Sequence, residues 1–172
     1  MLNRQEIKEL IEKQNLVSDY IDLETQLAPH GFDLTVGSIY EFDSQGALDF
    51  SNKERKIPDG KVMLPQKKTL KDKFGWWDLK KGAYRIRTNE TVNMPDNLAA
   101  LAFSRSSLLR IGAFTQNAVW DAGFRGKSEF ILVVENPKGI MLKQNARISQ
   151  LVFIKINKTD KVYNGIHGEQ RK

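Results

Sequence analysis

The chain contains no cysteine and only two histidines, His30 and His167. The missing thiols exclude disulfides, thiol catalysis and the Cys/His zinc site that base deaminases commonly use. The two histidines stand too far apart in sequence to form a local metal-binding pair. Proline is scarce, with 5 in 172 residues, and no apolar run reaches the ~18 to 20 residues that a spanning helix needs. The charged N-terminus, MLNRQEIKELIEKQ, lacks an apolar leader core. The expectation is a cytoplasmic protein without a membrane segment.

What remains is a composition of one folded unit, 40% hydrophobic and 28% charged. At 172 residues, one domain spanning 1–172 is expected. There are 27 Lys+Arg against 21 Asp+Glu, a formal charge of +6. Such a surface suits an anionic partner, nucleic acid or small phosphates, and charge alone does not choose between them.

The first segment has a helix signature. Asn3 stands where a cap belongs, Glu6 three residues on completes a capping box, and Ile7, Leu10 and Ile11 share one face. That face is expected to pack on a sheet. After Pro29 the pattern turns to strands: 31–42, 84–88, 99–103, 114–120, 130–134 and 148–156. Asn89-Glu90, Gln45-Gly46 and Pro58-Asp59-Gly60 offer turns between them. This spacing is that of an all-β barrel or sandwich. One segment departs from it. Arg105-Ser106-Ser107-Leu108-Leu109-Arg110-Ile111-Gly112 opens on hydroxyl residues suited to an N-cap and closes on a glycine suited to C′, so a short helix is expected.

Two segments carry candidate chemistry. Free N–H groups at a Ser-Ser helix start, with Arg105 and Arg110 adding charge-assisted donors, suit a polyphosphate; an ordinary capped helix with two solvated arginines fits the same residues. Trp120-Asp121-Ala122-Gly123-Phe124-Arg125-Gly126 joins two β-rich runs as a hairpin or bulge. Asp121 could activate water or cap the turn; Phe124 could stack on a sugar or base or cover the core. Asp33 and Gln150 carry no signal alone. A third feature sets Lys67, Lys68, Lys71, Lys73, Lys80 and Lys81 around Phe74, Trp76 and Trp77, a mixture able to grip single-stranded nucleic acid. A Lys-rich loop whose tryptophans pack at a subunit interface is the plainer expectation, and a nucleic-acid partner the lesser one.

Four segments in order, GFDL (31–34), RSSLLRIG (105–112), VWDAGFRG (119–126) and ARISQLVF (146–153), resemble the motifs of the dUTPase and dCTP deaminase superfamily. The likeness is greatest to its archaeal-type dUTPase branch and runs from about Glu6 to Gln170. It implies a distorted β-barrel or jelly-roll, with an N-terminal helix and a short helix after Arg-Ser-Ser, assembled as a homotrimer with shared active sites. It further implies that Arg105, Ser106, Ser107, Arg110 and Gln150 bind phosphates and that Asp121 deprotonates water. Phe124 would lie under the deoxyribose, and Asp33 near water-coordinated Mg²⁺. The backbone from Asn117 through Gly123 to Phe124 would read the pyrimidine, with Tyr163 and Gln170 of the tail at base or phosphate. The implied reaction is hydrolysis of dUTP to dUMP and pyrophosphate; dCTP deamination, alone or combined with it, is the alternative. Against deamination, the position of the deaminase glutamate holds Ile131 or Val133, depending on whether one counts from Asp121 or from Asn136, while Glu129 and Glu135 flank it.

Overall fold

A computed structural model describes residues 1–168. In chain order the elements are α1 (Arg4–Gln14), β1 (Val17–Ser18), α2 (Leu23–Gln26), β2 (Leu27–Ala28), β3 (Gly31–Glu41), β4 (Lys61–Met63), β5 (Trp76–Leu79), β6 (Gly82–Asn93), β7 (Leu98–Ser104), α3 (Ser106–Arg110), β8 (Ala113–Gln116), β9 (Arg125–Val134), β10 (Ile140–Lys143) and β11 (Arg147–Lys155). Antiparallel pairing runs β7-β11-β3-β6-β9-β8, with β1 added to β6 and β2 and β4 to β3. The two ends of this path meet. Thr115 N donates to Ser104 Oγ at 2.8 Å, and Ala100 and Trp120 exchange backbone hydrogen bonds of 3.0 Å. The sheet thus closes almost fully into a barrel, which protects both of its edges.

Alternation along β6 and β9 sends Tyr84, Ile86, Phe130, Leu132 and Val134 inward, to meet Phe32, Leu34, Leu151 and Phe153. Each such side chain contributes about 1.5–3 kcal/mol on burial. The first half of β3, Gly31 to Val36, is buried at every position. α1 covers its outer side with Ile7 and Ile11, and the Asn3–Glu6 capping box forms as the spacing predicts.

Two expectations are corrected. Asn89-Glu90 is no turn; both residues lie inside β6, at its register shift against β9. Their polar groups find partners across the barrel: Glu90 Oε1 accepts from Gln26 Nε2 (2.7 Å) and Thr35 Oγ1 (2.5 Å), and Oε2 from Thr35 N (2.9 Å). Asn89 Nδ2 donates to Thr35 Oγ1 and to Asn145. The second correction concerns Trp77, expected at a subunit interface. Trp77 is buried within this chain, its indole N–H bonded to Met63 O at 2.9 Å. Trp76 stays half-buried, with Lys68 and Lys143 at 4.8 and 5.3 Å from its ring centre in cation–π contact.

Candidate active site

The loop after β8 is pinned at Trp120, whose buried indole donates to Ser128 Oγ at 2.8 Å while its backbone pairs with Ala100. Pinning that residue leaves its neighbour Asp121 projecting outward, exposed, with no side-chain hydrogen bond among the described residues. The chain then turns at Gly123, whose φ of +83° favours glycine and whose added Cβ would come within 2.7 Å of Val162 Cβ. This close approach seats the tail on the hairpin. Tyr163 N donates to Ala122 O at 2.8 Å, and the Tyr163 ring packs edge-on against Phe124 with centroids 5.4 Å apart. His167 N donates to the Tyr163 hydroxyl at 3.1 Å and holds the tail in that course.

Hairpin, tail and the outer face of β6 and β9 enclose a cleft of about 750 Å³. Asp121, Phe124 and Tyr163 line it, together with Arg85, Arg87, Glu129, Ile131 and His167. Phe42 and Ile57 form part of its wall. Part of the hairpin backbone is already bonded within the chain. The N–H groups of Trp120, Gly123 and Phe124 donate to Ala100, Met94 and Asp121, and the Phe124 carbonyl accepts from Met94 N.

A second polar cluster lies at the start of β11. The Asp33 side chain is only 4% exposed; its Oδ2 takes Arg105 Nε at 3.0 Å and Arg147 Nη1 at 3.2 Å, and its Oδ1 takes Gln150 Nε2 at 3.4 Å. Arg147 also donates to Thr25 O at 2.6 Å. Burial pushes the Asp33 carboxyl above its ordinary value, against the opposing pull of the two arginines. Beyond Arg105, α3 presents Ser106 and Ser107 to solvent, and Arg110 reaches back to Ser106 Oγ at 3.3 Å. The cap of this helix is Arg105, with no side-chain capping bond, rather than a serine; Gly112 closes it in the left-handed conformation at φ +82° as expected. The hydroxyls are therefore not spent on capping.

The fold thus brings the expected site residues together in two groups and leaves the groups apart. Asp121, Phe124 and Tyr163 share the cleft. Arg105, Ser106, Ser107, Arg110, Gln150 and Asp33 gather at the β3–β11–α3 corner and do not line it. Asn117 belongs to neither: its Nδ2 leans toward Ala102 O at 3.4 Å, and its Oδ1 is buried without a partner among the described residues. Gly123 underlies the tail, and Gln170 lies outside the described residues. Sequence reading passed over Arg85, Arg87 and Arg147 as site residues; Arg85 and Arg87 alternate in Tyr84-Arg85-Ile86-Arg87, a pattern that places both on one face.

Among the described residues, no group of three or more His, Asp or Glu is arranged to hold a metal ion. Asp33, the carboxylate that the motif resemblance sets near Mg²⁺, is already committed to two guanidinium groups, a poor setting for a further cation. Nor is any described helix long and apolar enough to cross a membrane.

Comparison with known proteins bears on this arrangement. Residues 1–156 match the family model described as dCTP deaminase-like. The chain is 46% identical over 169 residues to a Methanosarcina mazei protein named probable deoxyuridine 5'-triphosphate nucleotidohydrolase, covering 97% of this chain and 95% of that one. It is 36% identical over 144 residues to the deoxyuridine 5'-triphosphate nucleotidohydrolase of Methanocaldococcus jannaschii, covering 84% and 88% of the two chains. A Persephonella marina protein named dCTP deaminase, dUMP-forming, is 35% identical over 176 residues, covering 99% and 93%. In solved structures, the 2'-deoxycytidine 5'-triphosphate deaminase of Agrobacterium tumefaciens shares the fold at a TM-score of 0.63 and 22% identity, over 88% of this chain and 46% of that one. The motifs, the nearly closed barrel and the full-length relatives agree, and the chain belongs to the dCTP deaminase-like family.

Proposed function

We propose that the chain is a dUTP diphosphatase, cleaving dUTP to dUMP and pyrophosphate. The observation that carries this reading is the Asp121 carboxylate, exposed and without a hydrogen-bond partner among the described residues, at the rim of an aromatic-lined cleft; the names of the nearly full-length archaeal relatives support it. In this mechanism Asp121 takes a proton from a water that attacks the α-phosphorus. The bond from that phosphorus to the bridging oxygen breaks, and pyrophosphate leaves. Phe124 lies under the deoxyribose where a 2′-hydroxyl would stand, with Tyr163 beside it. The hairpin from Asn117 to Gly123 seats the nucleoside. Mg²⁺ enters as the counter-ion of the triphosphate, a form of binding that needs few protein carboxylates.

The phosphate-binding group, Arg105, Ser106, Ser107, Arg110 and Gln150, reaches the cleft of a neighbouring chain in a homotrimer. Supporting this is an exposed apolar face beside it: Leu101 and Phe103 on β7, Leu109 and Ile111 on and after α3, and Phe114 on β8, with Phe103 60% exposed. A cytoplasmic location completes the reading.

Product analysis with dUTP, dCTP, dTTP and UTP in parallel tests it. The expected outcome is dUMP and pyrophosphate from dUTP and no ammonia from dCTP, since Ile131 offers the cleft only hydrocarbon. Ammonia from dCTP would favour deamination with Glu129, which lines the same wall, as the proton carrier. Light scattering is expected to give three chains per particle; a stable monomer at micromolar concentration overturns the shared site.

A further inference from the structure

The cleft contains a charge cluster to which the hydrolytic mechanism gives no task. Arg87 stands opposite Glu129, and Arg85 opposite Ile131, across the β6–β9 ladder, and all four side chains face the cleft. The carboxylate meets the guanidinium groups loosely. Glu129 Oε2 lies 3.7 Å from Arg85 Nε, and Oε1 lies 3.9 Å from Arg87 Nε. Those are ion-pair separations, too long for hydrogen bonds.

Arg85 is nonetheless fixed in place. Its Nη1 donates to Pro58 O at 2.8 Å, its Nη2 to Asp59 O, and its plane lies 4.7 Å from the Tyr40 ring centre. Its Nε is buried and has no hydrogen-bond partner among the described residues. Buried donors are seldom left unused, because the lost hydration is not replaced. The Glu129 carboxylate and the half-exposed Arg87 guanidinium, neither with a hydrogen-bond partner among the described residues, thus stand side by side on the cleft wall, matching a ligand edge that carries an adjacent donor and acceptor.

We propose that Glu129, flanked by Arg85 and Arg87, is the element that distinguishes uracil from cytosine. This inference rests on the reading of the cleft as the nucleotide site. Uracil presents N3–H beside O4: the carboxylate accepts the first and a guanidinium donates to the second. Cytosine presents the reverse pattern. Its N3 lone pair would face the carboxylate and its amino group would face an N–H, leaving charged groups unpaired. The N–H groups of Trp120, Gly123 and Phe124 are engaged within the chain and do not compete for the base edge. A site built to satisfy one hydrogen-bonding pattern rejects the reversed one strongly.

The test is calorimetric binding of dUMP and dCMP to the full-length assembled protein and to its Glu129→Gln and Arg87→Gln variants. Wild type is expected to prefer dUMP by at least about tenfold, and Glu129→Gln to lose most of that preference, since an amide can face either pattern. Arg87→Gln is expected to weaken dUMP more than dCMP. A preference unchanged in Glu129→Gln, with thermal melting showing the variant folded, overturns the inference. Failure of wild type to hydrolyse dUTP overturns the proposed reaction instead, because the binding preference is read without turnover.

Discussion

Asp33 on β3 and Asp121 in the β8–β9 loop are carboxylates held in opposite ways. Asp33 is nearly enclosed, with both oxygens engaged by Arg105, Arg147 and Gln150. Asp121 is exposed, and its side chain has no hydrogen-bond partner among the described residues. The first group is spent on structure: it joins β3 to β11 and orients Arg105 at the head of α3. The second is held by its backbone alone, through Trp120 and Phe124, and its oxygens remain available to water. A carboxylate can organise cations or accept a proton from a nucleophile, and the surrounding partners decide which.

Removing the free carboxylate is expected to have the largest effect. Asp121→Asn should lower turnover of dUTP by about 10² to 10⁴, the usual weight of a general base, while nucleotide binding and melting temperature stay close to wild type. Pyrophosphate release and calorimetry on the same sample check it, and unchanged turnover would end the contrast between the two aspartates. Phe124→Ala comes next. It empties a buried position against Tyr163, which should cost about 3 kcal/mol of stability, and it should lower discrimination between dUTP and UTP. A fixed ratio of kcat/KM values would make the ring purely a packing element.

Asp33→Asn is expected to act more mildly, about 1–2 kcal/mol in denaturant unfolding. The reason lies in the direction of its pKa: burial outweighs the arginines, and Arg105 and Arg147 keep about a third of their side-chain surface in water, where they can be resolvated. Weaker triphosphate binding should accompany it, as Arg105 loses its anchor.

The smallest effect is a slope. Burial raises the Glu90 carboxyl above its ordinary 4.5, so the folded chain keeps a proton that the unfolded chain has lost. Its contribution to stability is therefore fully present below that ordinary value and is lost as pH rises through the raised one. Glu90→Gln should flatten this part of the fall in melting temperature as pH rises above that ordinary value. A slope identical to wild type would show that Glu90 does not titrate in that range.

Much of this was legible because it is local. The Asn3–Glu6 box, the long β3 and β11 strands and the glycine that ends α3 follow from spacing and backbone preference within a few residues. The motifs around Asp33, Arg105, Asp121 and Gln150 were equally visible in order along the chain. Their spatial grouping was not. Asn89-Glu90 carries turn chemistry in sequence, yet it runs straight through β6 because Gln26, Thr35 and Asn145 satisfy its side chains from distant segments. Trp77 sits among lysines in sequence and in the core in space, because β5 pairs with β10.

The sequence by itself determined the elements, the family motifs and the two kinds of chemistry they offer, since capping, alternation and residue type act over short range. Only the tertiary structure decided which motifs share a cleft. The register of β6 on β9 brings Arg85 and Arg87 to Glu129, and the tail folding over Gly123 brings Tyr163 to Phe124. Barrel closure sets the β3–β11–α3 corner, with Arg105, Ser106 and Ser107, away from that cleft. Such meetings are fixed by pairings between residues far apart in the chain, and no local preference encodes them.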